Sequence, residues 1–176
     1  MNSPITNFQK VKPANEIVVV LDNIRSIHNV GSILRTCDIF GIGTIYCCGI
    51  TPYLPEANDE RLPHIQQKVL TQITKTSLGA EKNVKSLHVD TTKNAILQLM
   101  ATHYTIYALE QTKDSVPIEG FSPKLPCALI LGNEVNGISD ESLKMCDSVL
   151  EIAQFGKKES LNVSVATGIA LYELSH

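Results

Sequence analysis

The chain has 176 residues, of which 43% are hydrophobic and 19% charged. That composition excludes disordered, fibrous and coiled-coil classes and suits one domain, which buries roughly 70% of the surface its unfolded chain exposes. Fifteen Lys and Arg against eighteen Asp and Glu leave a formal charge of -3, so any phosphate-binding surface must be a local patch. Five cysteines at 37, 47, 48, 127 and 146 form no Cys-x-x-Cys pair. A reducing cytoplasmic setting without structural zinc is expected.

Residues 1–16 carry Pro4, Pro13 and no periodicity, and read as an N-terminal arm preceding a domain at 17–176. The longest aliphatic run, Ile17 to Leu21, is too short to span a bilayer, and nothing before it resembles a signal-peptide core. This β-branched run suits a central parallel strand covered on both faces. Similar runs follow at Thr44 to Cys48, Leu87 to Val89, Tyr104 to Leu109, Cys127 to Leu131 and Val149 to Ile152. Helical spacing links Val30, Ile33, Leu34, Cys37 and Phe40, then Ala95, Ile96, Leu99 and Met100, and finally Leu161, Val165, Gly168, Ile169 and Tyr172. The alternation predicts an α/β fold with a mostly parallel sheet flanked by helices. From Gly49 to Lys85, three prolines and a weak pattern at Ile65 to Thr74 predict a long functional loop with a short helix.

Gly41-Ile42-Gly43 lacks the third glycine of a dinucleotide fingerprint and lies between helix and strand, where a helix C-cap explains it. No phosphate-loop, zinc-protease or nucleophile-elbow motif is present. Three other segments are polar where a covered sheet needs no polarity. Asp22 to Thr36 runs from a strand's C-terminal end into a helix; Asn29 and Gly31 could leave helix-start N–H groups free for an anion, with Arg35 turned into a cleft. An even alternative makes Asn29 a plain N-cap and Arg35 a solvated charge. Leu131 to Asp140 places Gly132 and Gly137 around Asn133, Glu134 and Asn136, with Ser139 opening a helix. Phe155 to Gly168 is a basic loop leading into the last helix.

Taken together, Asn29-x-Gly31-Ser32-x-x-Arg35, Leu131-Gly132-Asn133-Glu134-x-x-Gly137 and Ser160-Leu161-Asn162-Val163-Ser164-x-Ala166-x-Gly168 resemble, in order and separation, the three motifs of the SpoU/TrmH family of RNA 2′-O-ribose methyltransferases. Glu110-Gln111-Thr112 and Lys75 to Glu81 resemble further family segments. The resemblance implies a C-terminal deep trefoil knot, S-adenosylmethionine as cofactor, a homodimer, and tRNA or rRNA as substrate, with tRNA slightly favoured. No membrane or metal partner is expected.

By the same resemblance Leu109, Gly132, Ile152 and Leu161 frame the cofactor, and Arg35 stands at the base position. Methyl transfer to a ribose hydroxyl needs in-line positioning and loss of a weakly acidic proton. Lowering a guanidinium by about 4 pKa units costs roughly 5 kcal/mol, so phosphate binding, a water relay or an electrostatic role competes with proton removal by Arg35. Ser160, Asn162 and Asn29 fit positioning roles, and Glu134 an anchor for an arginine across the dimer. Lys157, Lys158 and Arg25 are candidate RNA contacts, a solvated charged loop being the alternative for the lysines. Ile152-Ala153-Gln154 replaces the Ile-Pro-Met found in many members. A noncatalytic RNA-binding or assembly factor and an ordinary nucleotide-binding α/β protein are the competing classes.

Overall fold

The computed structural model describes residues 16–158 and 160–175; the expected arm lies, apart from Glu16, outside them. The elements are β1 (Ile17–Asp22), α1 (Ile27–Ile39), β2 (Thr44–Cys48), α2 (Pro63–Ser77), β3 (Lys85–Val89), α3 (Thr92–Ala101), β4 (Thr105–Leu109), β5 (Val116–Pro117), β6 (Cys127–Leu131), α4 (Asp140–Leu143), β7 (Ser148–Glu151) and α5 (Val163–Leu174). They build a seven-stranded sheet in the order β3-β2-β1-β6-β4-β7-β5, with every pairing parallel. The expected α/β architecture is present.

Strand β1 is buried along its whole length because its alternate side chains feed two cores. Val19 and Leu21 join Leu129, Leu131 and the α1, α2 and α5 residues Ile33, Ile73 and Leu171 on one face. Val18 and Val20 join Ala128, Ile130 and the α3 residues Ala95, Ile96 and Leu99 on the other. Leu21 of β1, Leu131 of β6, Leu109 of β4 and Leu150 of β7 lie in register. Four adjacent strands therefore end level, and the loops beyond them gather at the carboxyl edge where open α/β sheets bind ligands.

The segment between β2 and β3 departs from expectation. Its predicted short helix is the fifteen-residue α2, started by Pro63 at its first turn, where a missing N–H costs nothing. The pattern is weak because only Ile73 and Ser77 are fully buried. Gly31 explains how α2 docks: a Cβ there would stand 2.5 Å from the Ile73 carbonyl oxygen and would also strike Thr76 Oγ1. Gly31 thus permits close helix approach. Ahead of α2, Tyr53 stacks on His88 at 4.1 Å, Arg61 lies 3.6 Å over Tyr53, and Glu56 accepts the His88 N–H at 2.8 Å. This strap covers the edge of β3, which would otherwise be open to foreign strands.

Gly41, at φ 70°, forms the expected left-handed turn after α1. The final helix begins at Val163, two residues later than its apolar pattern suggests, because Asn162 caps it. The two-residue β5 was not anticipated; so short a strand with a proline leaves no pattern.

Candidate active site

A cleft of about 490 Å³ opens at the carboxyl ends of β4, β6 and β7, lined among others by Leu109, Gly132, Ile152, Ser160 and Leu161. Its size suits a small-molecule cofactor. All four residues expected to frame a cofactor therefore meet in one place, together with Ser160. The wall is largely main chain, held in shape by glycine: a Cβ on Gly132 would come within 2.6 Å of the Gly137 carbonyl carbon. Gly137 adopts φ 65° and bridges back to Asn133, a left-handed conformation that favours glycine. Glu110 braces the loop by accepting the Ile138 N–H at 3.0 Å. That role was not visible in the sequence, since the two residues are 28 positions apart.

Glu134 stands at the rim and organises the first motif. Its two oxygens accept the Arg25 and Ser26 N–H groups at 3.1 and 3.2 Å and the Asn29 Nδ2 amide at 2.9 Å. Burial pushes the Glu134 carboxyl up, but the Arg25 N–H, its own backbone N–H, Asn29 and the Ser26 N–H together outweigh burial and hold it below the ordinary value. The α1 start is therefore not left free for an external anion: Glu134 supplies the negative charge there. Nor is Asn29 the N-cap, because Ser26 Oγ caps the helix by accepting the Asn29 N–H at 3.3 Å. Expected to reach an arginine across a dimer, Glu134 is engaged within its own chain.

From Asn29 the network continues to the last motif. Asn162 Nδ2 donates to Asn29 Oδ1 at 3.2 Å, while Asn162 Oδ1 accepts the Ser164 N–H at 2.9 Å and its hydroxyl at 2.6 Å. The capping geometry of α5 thus fixes the Asn162 rotamer, leaving its amide aimed at α1. All three motifs meet in the line Glu134, Asn29, Asn162.

Arg35 lies one to two turns further along α1, exposed and outside the cleft lining. Among the described residues it has no ion pair. Helix α5 runs alongside, with Thr36 Cγ2 3.9 Å from where a Gly168 Cβ would stand. Arg25 lines an adjoining cavity with Asn23 and Asn136. Lys157 and Lys158 are exposed in the loop between β7 and α5.

The five cysteines are free. Burial pushes Cys47, Cys48, Cys127 and Cys146 to about 12, so these thiols are poor nucleophiles near neutrality. Among the described residues no group of three or more His, Cys, Asp or Glu is placed to hold a metal ion, and no helix is long and apolar enough to cross a membrane.

The sequence model of the SpoU rRNA Methylase family matches residues 16–172. A tRNA (guanosine(18)-2′-O)-methyltransferase of Aquifex aeolicus is 33% identical over 92% of this chain and 70% of its own length. The crystal structure of the A. aeolicus TrmH/SpoU tRNA modifying enzyme superposes with a TM-score of 0.74 at 30% identity, covering 92% of this chain and 74% of that one. An AdoMet-bound rRNA methyltransferase from Sinorhizobium meliloti gives 0.74 at 25% identity, with coverage of 94% and 60%.

Proposed function

The chain belongs to the SpoU rRNA methylase family, and from that premise we propose that it is an S-adenosylmethionine-dependent RNA 2′-O-ribose methyltransferase acting on structured tRNA or rRNA. The observation that carries this reading is the line Glu134, Asn29, Asn162, which gathers all three motifs beside one cleft. Relatives named for ribose methylation of tRNA and for AdoMet-bound rRNA methylation support both substrate class and cofactor.

The cleft fits the cofactor. Its volume and its wall at Leu109, Gly132 and Ile152, with the loop packed so closely on Gly132 that a Cβ would strike the Gly137 backbone, suit a bent nucleoside held mainly through backbone groups. Leu161 covers it from the α5 side. The bound cofactor supplies an electrophilic methyl on a sulfonium, and everything else falls to this chain. Asn29 and Asn162 hold each other and leave the rim rigid, so an incoming ribose meets preset polar groups. Ser160, on the cleft wall, orients the reacting hydroxyl. The exposed Arg35 guanidinium contacts the substrate phosphate or the ribose oxygen as negative charge develops there. Arg25, Lys157 and Lys158 receive neighbouring phosphates.

The trefoil knot, formed by the segment from Ile152 through α5, belongs to this reading, as does the division into an arm at 1–16 and a catalytic domain at 17–176. So does a homodimer. Leu161, Val165, Ile169 and Tyr172 leave an exposed, largely apolar stripe along α5, beside the cleft, and a second copy would cover it. Glu134 would then stiffen the rim that a partner subunit completes. A cytoplasmic protein is part of the same proposal, supported by the free cysteines and by an RNA substrate.

The test is transfer of labelled methyl from S-adenosylmethionine into total RNA from cells lacking this protein, followed by analysis of alkali-resistant dinucleotides. Label in tRNA or rRNA that vanishes with Arg35→Ala supports the proposal. Cofactor and RNA binding without any transfer would instead favour a noncatalytic RNA-binding factor.

A further inference from the structure

Phe155 is 98% exposed, more than any other large apolar side chain among the described residues. Its position is not arbitrary. Gln154 immediately before it and Ser160 after it both line the cofactor cleft, so the loop leaves the cleft wall and returns to it, with Phe155 the first residue outside the lining. Gly156 follows, then Lys157 and Lys158, both exposed and without an ion pair among the described residues.

This pairing of chemistry narrows the occupant. Seating Phe155 against an apolar protein surface would draw two ammonium groups out of water, a cost that only matched carboxylates could offset. An unpaired nucleic-acid strand offers both complements at once: a flat base face for the ring and phosphates for the lysines. A duplex does not, because its bases already stack on one another. The net charge of -3 makes this local cationic loop stand out against the rest of the chain.

We infer that Phe155 stacks on an unpaired base of the substrate RNA at the mouth of the cofactor cleft, while Lys157 and Lys158 hold the flanking phosphates; this rests on the reading of the chain as an RNA methyltransferase. The stack clamps the strand beside the cleft, so a nearby ribose is presented to Ser160 and Asn162. The target nucleotide accordingly lies in a loop, bulge or splayed segment rather than within a continuous helix.

The experiment compares the full chain with its Phe155→Ala, Phe155→Leu and Phe155→Trp variants. Affinity for a fluorescein-labelled unpaired RNA of about twelve nucleotides, and for the corresponding duplex, is measured across a salt series. Cofactor affinity, methyl transfer and sedimentation are measured alongside. Phe155→Ala and Phe155→Leu should weaken single-strand binding roughly tenfold at every salt concentration, leaving duplex and cofactor binding unchanged. Phe155→Trp should retain wild-type affinity. Lys157→Ala with Lys158→Ala should flatten the salt dependence, a readout that loss of stacking does not move.

Wild-type affinity in Phe155→Ala or Phe155→Leu would overturn the inference, as would a Phe155→Ala protein that sediments as a smaller species. If single-strand binding depends on Phe155 but no RNA is methylated, the stacking stands and the catalytic reading fails. Methyl transfer indifferent to Phe155 gives the reverse. A wild-type chain that binds no RNA at all removes both.

Discussion

Glu134 Oε1 accepts the Asn29 side-chain amide at 2.9 Å, across 105 residues of chain. The same carboxylate takes the Arg25 and Ser26 N–H groups, so one side chain ties the β6 loop to the start of α1. Replacing it with glutamine keeps the shape but turns one acceptor into a donor facing other donors. Glu134→Gln should lower stability by about 1–3 kcal/mol and reduce methyl transfer more than cofactor affinity, read by thermal melts, calorimetry and a transfer assay.

The acid sensitivity of that contact has a definite sign. Glu134 is held below its ordinary value of 4.5, so its contribution is complete above that pH and is lost as pH falls through the lower folded value. Asp59 behaves alike, its carboxyl brought from 3.8 to about 2, first by the Arg61 side-chain hydrogen bond. Melting temperature should fall as the medium is acidified below about pH 4.5. The gap between wild type and Glu134→Gln should close over that range, and a gap that stays constant would refute the assignment.

Gly31→Ala sets helix propensity against packing. Alanine is worth up to about 1 kcal/mol over glycine in a helix interior, yet its Cβ would meet the Ile73 carbonyl, a backbone atom that cannot swing away. Overpacking of this kind costs about 1–3 kcal/mol, so the variant should be less stable, with a melting temperature lower by a few degrees.

Gly132→Ala tests the cleft directly. The added methyl meets the Gly137 and Ile138 backbone at 2.6 and 2.7 Å, so the loop that lines the cleft must shift. Binding of S-adenosylmethionine, measured by calorimetry, should weaken at least tenfold, while methyl transfer falls with it. Gly156→Ala, in a loop where a Cβ meets nothing within 4 Å, is the control and should leave cofactor affinity unchanged.

Arg35→Ala separates chemistry from folding. The side chain is exposed and has no ion pair among the described residues, so its removal should leave the melting temperature within about 1 °C of wild type. Methyl transfer should nonetheless drop about a hundredfold or more. Arg35→Lys should recover little, because an ammonium lacks the planar fork of donors.

The central strands could be read from their short apolar runs: β2 and β6 have the limits those runs suggest, and β1 extends one residue further, to Asp22. The cleft-lining residues Leu109, Gly132, Ile152 and Leu161 were accessible only through the motifs, since they are ordinary residues until three strand ends are brought level. Helix α2 was underestimated because its first half faces solvent and its docking depends on Gly31, a glycine inside a different helix. The start of α1 misled for a similar reason. Its local pattern offers a vacant anion site, and the carboxylate that fills it arrives from more than a hundred residues away. Local chemistry is legible in a sequence; what a distant loop brings to meet it is not.

Strand order also governs what the ribosome releases first. The early strands β1, β2 and β3 pair with one another in sequence order, but the other edge of β1 waits for β6, whose first residue is Cys127. Until then a strand that is buried along its whole length in the finished fold shows a bare row of peptide groups, and a nascent chain stalled in that interval exposes an edge prone to foreign pairing. Even a chain that has completed its sheet lacks the link between the first and last motifs until Asn162 emerges to meet Asn29, 133 positions behind it. Interrupted synthesis should therefore yield aggregates rather than half-active enzyme.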